Sequence, residues 1–367
     1  MCQGMERHLL LAGGGHAHVE VLRQLAARPL PGWRITLLTR EEASPYSGML
    51  PGVAAGLYRP DQALIPAAPL AARAGAALVL DSVTGLDPAA RLLRRAGGAP
   101  LPYDLLSLDT GATPDLSVPG AAAHAVPIKP IDALLPRIEA LADAARPGQV
   151  VALAGGGPAG FEMALAFAAR LGPGGVRVVL VTGADGLLPT LPARLSGRAA
   201  VALARRGVML VVDEVTGVSA DGLRLAVSPP VTADAVLWAA GAAAPAWLAQ
   251  TGLARDARGF VAVDVTLRST SHPEVFAAGD VAGFTPPLPK SGVVAVRQGP
   301  VLDHNLRARL AGRRLRAYRP QRDTLVLLNL GDGTALGAKW GRSLEGRLVF
   351  AAKDAIDRRF VRRFRPQ

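Results

Sequence analysis

Two glycine-rich stretches and one glycine–aspartate pair are the residues of this chain whose types and spacing point to chemistry. Residues 155–160 read Gly-Gly-Gly-Pro-Ala-Gly, a G-x-G-x-x-G pattern between an apolar run and a helical one. In that setting Gly155 makes the tight turn, Gly157 lets the backbone approach a diphosphate, and Gly160 lets helix and strand pack closely. Pro158 falls in the first helical turn, where its missing N–H is no loss, and the helix N-terminus faces the anion. Residues 13–18, Gly-Gly-Gly-His-Ala-His, repeat the pattern with Gly13 and Gly15 in place but His18 at the third position. Residues 275–280 (VFAAGD) read as a short buried strand. It ends in Gly279, where backbone can pass close to a ligand, and in Asp280, at the strand end where open α/β sheets bind ligands. Alone, that stretch is equally an ordinary strand and turn. The two loops upstream make it part of a dinucleotide-binding pattern.

Other candidate groups narrow the chemistry. His16 and His18 lie at a helix N-terminus, where the dipole keeps imidazole neutral and packed against a ligand or a neighbouring strand. No cysteine or carboxylate cluster accompanies them at ligand spacing, so no metal is expected. Cys2 is the only cysteine, so the chain has no internal disulfide and no redox-active pair. The acid expected to hold ribose hydroxyls at the end of each unit's second strand is missing: Thr39 and Thr182 stand there, with Glu41 and Asp185 shortly after. No arginine follows Thr182 until Arg194, which leans towards NADH rather than NADPH.

The elements that must position these groups form a duplicated plan. A strand over 8–12, a helix to about residue 27 and a strand over 34–39 make a βαβ unit. A long loop over 44–52 precedes a helix ending near Gly75, then strands over 76–80 and 91–95 and a strand over 103–111 that ends in a glycine turn. After a helix ending near Arg146, the second unit repeats the plan: strand 150–154, loop 155–160, helix 158–171, strand 176–182, closing strand 235–241. Linkers fall near 112–130 and 242–258. A helix over about 293–310 must accommodate Gly299-Pro300, and the last fifty residues predict strands over 324–329, 335–340 and 347–350 before a terminal helix.

With 367 residues the chain suits two or three domains. No apolar run is long enough to span a bilayer, and the run at residues 9–12 leads straight into glycines as a first strand, so a cytoplasmic protein is expected. The net charge of +12 is concentrated after Arg307: residues 307–367 carry 16 Lys and Arg against 5 Asp and Glu, or +11. Within this segment Ile356, Phe360 and Phe364 fall on one helical face and the arginines mostly elsewhere. Such a helix can lie on an anionic membrane surface, as a peripheral contact on the inner face of the cell membrane, or dock on the protein's own body. Nucleic acid is not expected, because no recognition motif accompanies the charge.

The order of loop, loop, then FAAGD resembles the two-dinucleotide-binding-domain flavoproteins of the pyridine nucleotide–disulfide oxidoreductase superfamily. The strings SPYSGMLPG (44–52), PKSGVVAVRQGPVLDHNL (289–306) and GGGHAHVEVLR (13–23) look like the NADH dehydrogenase-like flavoprotein fused in some bacteria to selenide, water dikinase. The resemblance implies two Rossmann-like, three-layer α/β domains and a small α+β C-terminal domain. The FAD-binding domain would be discontinuous (1–130 and 259–312), with an NAD(P)H-binding domain over 131–258 and a C-terminal domain over 313–367. It implies FAD contacts from Gly13, Gly15, His16, Ala17, Thr39, Pro45, Gly48, Met49, Leu50, Thr110, Gly111, Gly279 and Asp280, with Asp280 on the ribityl chain. It implies nicotinamide-nucleotide contacts (NADH or NADPH) from Gly155, Gly157, Pro158, Gly160, Glu162 and Gly241, with Glu162 near the nicotinamide. Gln298 matches a position beside the flavin and the quinone approach in type II NADH dehydrogenases; Lys290 either nears the flavin or is a solvated loop lysine.

The implied reaction is hydride transfer from nicotinamide to flavin, then electron transfer to a quinone-like or other small acceptor without a disulfide. In it the protein supplies alignment and electrostatics. The alternatives are a reductase of a soluble small molecule, such as a selenium or sulfur compound, and a non-catalytic nucleotide-bound scaffold. The sequence sets no oligomeric state.

Overall fold

The structure, a computed structural model, describes residues 7–321 and 323–365. Cys2 lies outside the described residues. The chain begins with β1 (Arg7–Ala12), α1 (His16–Ala27), β2 (Trp33–Thr39), β3 (Ala76–Leu80) and β4 (Leu105–Leu108). It continues with β5 (Ala125–Pro127), α2 (Ile131–Ala144), β6 (Val150–Ala154), α3 (Pro158–Leu171), β7 (Arg177–Thr182), α4 (Ala193–Arg205), β8 (Val208–Val212) and β9 (Ala235–Trp238). Then come β10 (Val275–Ala277), α5 (Gly292–Leu310), β11 (Val326–Asn329), β12 (Ala335–Lys339), β13 (Arg342–Gly346) and α6 (Arg347–Arg362).

Two five-stranded parallel sheets result, ordered β10-β4-β1-β2-β3 and β5-β9-β6-β7-β8. In each, the glycine loop leaves the central strand, where a doubly wound sheet opens its ligand crevice. Alternation explains the layers. Leu9 and Leu11 of β1 point into a core shared with Leu22 and Leu25 of α1 and Leu302 and Leu306 of α5. Leu10 and Ala12 point the other way, onto Leu86 and Leu93 of a three-stranded antiparallel unit. In β6, Val151 and Leu153 face α3 and α4, whereas Val150, Ala152 and Ala154 face a second antiparallel unit through Val218 and Leu223. Strands covered on both faces read as nearly continuous apolar runs, as residues 9–12 and 150–154 do.

The late strand returns to the first sheet as the order of motifs requires: β10 pairs with β4, and the Ala278 N–H donates to the Leu108 carbonyl at 2.9 Å. Helix α5 then lies close along α1. A Cβ built on Gly299 would stand 2.6 Å from Cβ of Glu20, so no larger residue fits that crossing. The two linkers run side by side, with Thr113 and Ala243 exchanging both backbone hydrogen bonds at 3.0 and 2.9 Å.

Three regions differ from the sequence reading. The helix expected to end near Gly75 is two short ones, Leu50–Ala54 and Ala67–Arg73, separated by a turn at Pro60–Ala63 and a strand, Leu64–Pro66, that pairs back to Ala43–Pro45. Pro60 and Pro66 lack the N–H a continuous helix needs. Residues 347–350, expected as a strand, are the first turn of α6, because an apolar run that short does not fix its own period. Finally, the phenylalanine face of α6 does not meet solvent or lipid: Phe360, Val361 and Phe364 are buried in the core beneath α1, and only Ile356 of the stripe is exposed. The basic amphipathic helix is therefore docked on the body through Phe360, Val361 and Phe364.

That burial has a measurable consequence. Phe364→Ala is expected to destabilise the protein by about 3–5 kcal/mol through lost burial and a residual cavity, lowering the thermal midpoint. Association with anionic vesicles should not change; a variant of native stability that loses vesicle binding would reinstate the membrane role.

Candidate functional site

The second loop is built as its glycines demand. Gly155 has φ 129°, and a Cβ there would stand 2.6 Å from the Ala239 carbonyl carbon at the end of β9. A Cβ on Gly160 would meet the Gly155 oxygen, so helix and loop close only around glycine. The Gly157 Cβ position meets nothing within 4 Å, and Gly157 and Pro158 open onto a cavity of about 2050 Å³. Gly241, after β9, lines the same cavity. Thr182 lies at the end of β7 with its hydroxyl buried and unpartnered.

The first loop solves the same problem with different residues. Gly13 has φ 102° and passes under the end of β4 at Asp109, as Gly155 does under β9. His18 replaces the third glycine as a latch: Nδ1 donates to the Gly13 carbonyl at 2.7 Å, leaving Nε2 to accept from the Ser107 hydroxyl of β4 at 2.8 Å. Burial drives its pKa down to about 4, so the ring is neutral and structural. Asp109 is the group the sequence reading missed. Its carboxylate accepts the N–H groups of Ala17 and His18 at 2.9 and 3.0 Å, filling the space beside Gly15 and Gly279. Burial raises Asp109 to about 7, and the nearby Asp280 charge adds to the rise. Thr39 is buried beneath Gly14 and accepts the Glu41 N–H at 3.3 Å.

Around this loop the buried polar atoms left without a protein partner are His16 Nε2, Thr110 Oγ1 and Gln298 Nε2. Buried polar atoms rarely go unpaired, so this cluster fits a polar ligand laid across the loop. His16 is held neutral by burial, its pKa near 4, and lies against the stacked pair of Tyr46 (5.6 Å, tilted) and Phe360 (6.2 Å). Asp280 pairs with Lys129 at 2.7 Å. Gln298 accepts the Gly279 N–H at 2.6 Å and is fully buried, so it fixes the Gly279-Asp280 turn rather than facing the cavity. The N-terminus of α5, capped by Ser291, opens into the cavity beside Ser47.

A second set of titratable groups lines the cavity where α3, the loop at 46–48 and α6 meet. Lys353 donates to the Gly48 carbonyl and to Asp357, both at 2.7 Å; Tyr46 donates to Asp357 at 3.1 Å. Glu162 accepts the Asn329 N–H at 2.7 Å. Burial raises Glu162 to about 7 against the pull of Lys353 and the Asn329 hydrogen bond. Burial likewise raises Asp357 despite its lysine. Lys290, on the other wall, donates to the Ala282 carbonyl at 2.6 Å and lies 3.7 Å from the Phe260 ring centre; burial lowers it to about 8.

Of the residues singled out from sequence, Gly48, Leu50, Gly157, Pro158, Glu162, Gly241 and Lys290 line the cavity. Gly13, Gly15, His16, Ala17, Thr39, Thr110, Gly111, Gly279 and Asp280 gather at the first loop. Pro45 is paired in a short strand and Met49 is buried in the core. Tyr46, Asp109, Lys129, Lys353, Asp357 and Phe360 were missed. Asp109 carried one signal: it is a lone acid ending an otherwise apolar strand.

The profile of the pyridine nucleotide-disulphide oxidoreductase family matches residues 7–299. The biphenyl dioxygenase system ferredoxin–NAD(+) reductase component of Paraburkholderia xenovorans (strain LB400) is 33% identical over 302 residues, 77% of this chain and 69% of that one. The NADH dehydrogenase-like protein YutJ of Bacillus subtilis (strain 168) is 24% identical over 353 residues, 95% of this chain and 97% of that one. Among solved structures, NDH2 from Plasmodium falciparum in complex with NADH superposes with a TM-score of 0.83 over 97% of this chain and 96% of that one. Its 14% identity makes this a likeness of fold.

The buried acid makes a pH prediction. Asp109 binds its proton more tightly folded than unfolded, so it withdraws stability as pH rises from about 4 to about 7. Asp109→Asn removes that loss. The stability difference between variant and wild type, measured by urea unfolding, is expected to grow in favour of the variant across that window and level off above it. A difference independent of pH would show that Asp109 ionises normally.

Proposed function

Because the chain belongs to the pyridine nucleotide-disulphide oxidoreductase family, we propose that it is an NAD(P)H dehydrogenase that delivers electrons to a quinone-like acceptor without a cysteine pair. That it is an oxidoreductase using FAD and a nicotinamide nucleotide follows from the family. When bound, FAD supplies the ability to take a hydride from the nicotinamide and to pass its electrons on to the acceptor.

The observation that carries the acceptor reading is a single cavity. It runs from the Gly157-Pro158 loop, past Lys290 and the N-terminus of α5, to a mouth lined by Val293, Leu325, Trp340 and Ile356, all exposed. Glu162, Lys353, Asp357 and Tyr46 lie within it. A quinone taking two electrons must also take two protons, and a carboxyl near pH 7 beside a hydrogen-bonded lysine is a ready source. Residues 1–130 and 259–312 would hold FAD, with the α1 loop for the diphosphate, Asp280 for the ribityl chain and the α5 N-terminus to favour negative charge near it. Residues 131–258 hold the nicotinamide nucleotide, with Glu162 at its reactive end. Lys290 stays close to Asp280 and Asp256 and adds positive charge on that wall.

A soluble acceptor is the second reading. Arg297, Arg316, Arg319 and Arg342 are exposed at the same mouth, which suits an acidic molecule, and a relative is named as a ferredoxin reductase component.

Anaerobic titration of the purified holoprotein with NADH and then NADPH should bleach the flavin stoichiometrically. Reoxidation by a short-chain quinone should be faster than by a ferredoxin, and the reverse order would establish the soluble reading. Glu162→Gln is expected to keep the bleaching but slow quinone-driven reoxidation by about 10²-fold, the usual scale of a lost proton donor. Flavin that NADH and NADPH both leave oxidised would sink the dehydrogenase reading.

A further inference from the structure

The second sheet lacks the acid that its glycine loop calls for. Thr182 ends β7, where a carboxylate ordinarily accepts the hydroxyls of the adenosine ribose. The neighbouring strand brings one to that place. β7 and β8 run parallel with Thr182 opposite Val212, and the N–H of Asp213 donates to the Thr182 carbonyl at 2.8 Å. Glu214 comes next, and its carboxylate leans back over the end of β7: a Cβ built on Gly183 would stand 3.1 Å from Oε2 of Glu214.

The backbone that carries Glu214 is held on both sides. The buried Asp213 carboxylate accepts the N–H groups of Glu214, Val227 and Ser228 at 2.7, 3.1 and 2.6 Å. The Glu214 carbonyl accepts the Ala226 N–H at 3.0 Å. The Glu214 side chain itself is exposed and, among the described residues, makes no hydrogen bond or ion pair. A carboxylate on an anchored backbone, left without a partner of its own, is available to a ligand that reaches the strand end. Gly183, with no side chain of its own, leaves the approach to it clear.

We propose that Glu214 accepts the adenosine ribose hydroxyls of the nicotinamide nucleotide and thereby selects NADH over NADPH. The proposal rests on reading residues 155–160 as the nicotinamide-nucleotide loop. A carboxylate accepts hydrogen bonds from the 2′- and 3′-hydroxyls of NADH and repels the 2′-phosphate of NADPH. Residues 183–186 hold no cation to offset that repulsion. The competing carboxylate is Asp185, exposed in the tight turn that the Gly186 N–H closes on the Gly183 carbonyl at 2.8 Å. That turn already packs its Gly186 carbonyl against Gly156, 2.4 Å from a Cβ position there, which fixes its direction; the strand-end position belongs to Glu214.

The test compares wild type, Glu214→Gln, Glu214→Arg and Asp185→Asn as FAD-loaded proteins, measuring dissociation constants and KM for NADH and NADPH. Glu214→Gln should weaken NADH binding about tenfold, the scale of a hydrogen bond to a charged group, with kcat unchanged. It should leave NADPH binding equal or tighter, and Glu214→Arg should reverse the preference. Asp185→Asn should behave as wild type, and flavin content and thermal midpoint should match across all four. NADH affinity unchanged in Glu214→Gln, or lost instead in Asp185→Asn, overturns the proposal. A wild-type holoprotein that binds neither dinucleotide overturns the loop reading itself, a failure the wild-type measurement alone reveals.

Discussion

Both glycine loops depend on one close approach, that of a loop backbone to the end of the strand beside it. Gly13 crosses the end of β4 at Asp109, and Gly155 crosses the end of β9 at Ala239, each with a positive φ that side chains rarely adopt. The approach exists only because β4 and β9 lie in parallel beside the central strands of their sheets. The order of the sheets, the entry angles of α1 and α3 and the floor of each ligand crevice follow from that contact.

Given the shared frame, the two loops diverge in what stands at the helix N-terminus. At α3 the space in front of Gly157 is open to the cavity, so the dipole faces whatever binds there. At α1 the Asp109 carboxylate already accepts two of the N–H groups, and its burial favours a proton over a charge. The first site thus holds two imidazoles that stay neutral, His16 and His18, beside a carboxyl that titrates near 7. The charged groups sit further out, Lys129 on Asp280 and Lys353 on Asp357. These charges are paired, and the polar atoms left unpaired gather around the first loop.

Much of the frame was legible in the sequence because it rests on local signals. Apolar strands bounded by glycine, a proline in a first helical turn and a second copy of the same plan each have a physical meaning without tertiary context. The rest was hidden for stated reasons. Lys353 and Asp357 lie four apart on a helix, a spacing shared with countless surface pairs, and only the fold buries them. The Phe360 and Phe364 stripe has one pattern for two destinations, lipid or protein, and packing beneath α1 decides. Asp109 read as part of the strand over 103–111, and its role shows only where Ala17 and His18 are brought to it from far away in sequence. His18 broke the glycine rule because its ring finds partners in Gly13 and Ser107, which a motif cannot display.

The pairing of β10 with β4 also orders events in time. Residues 275–277 are synthesised after the whole of the second sheet, so that sheet has its full complement of strands while the first still lacks an edge. During translation, then, the inner unit can settle on its own, whereas β4 waits with an unpaired row of N–H and C=O groups. A nascent chain passes through a stage with one finished nucleotide fold and one open sheet edge, the kind of edge that invites mispairing and chaperone capture. The nesting that gives the mature protein one continuous cavity makes its birth the point of greatest exposure to aggregation.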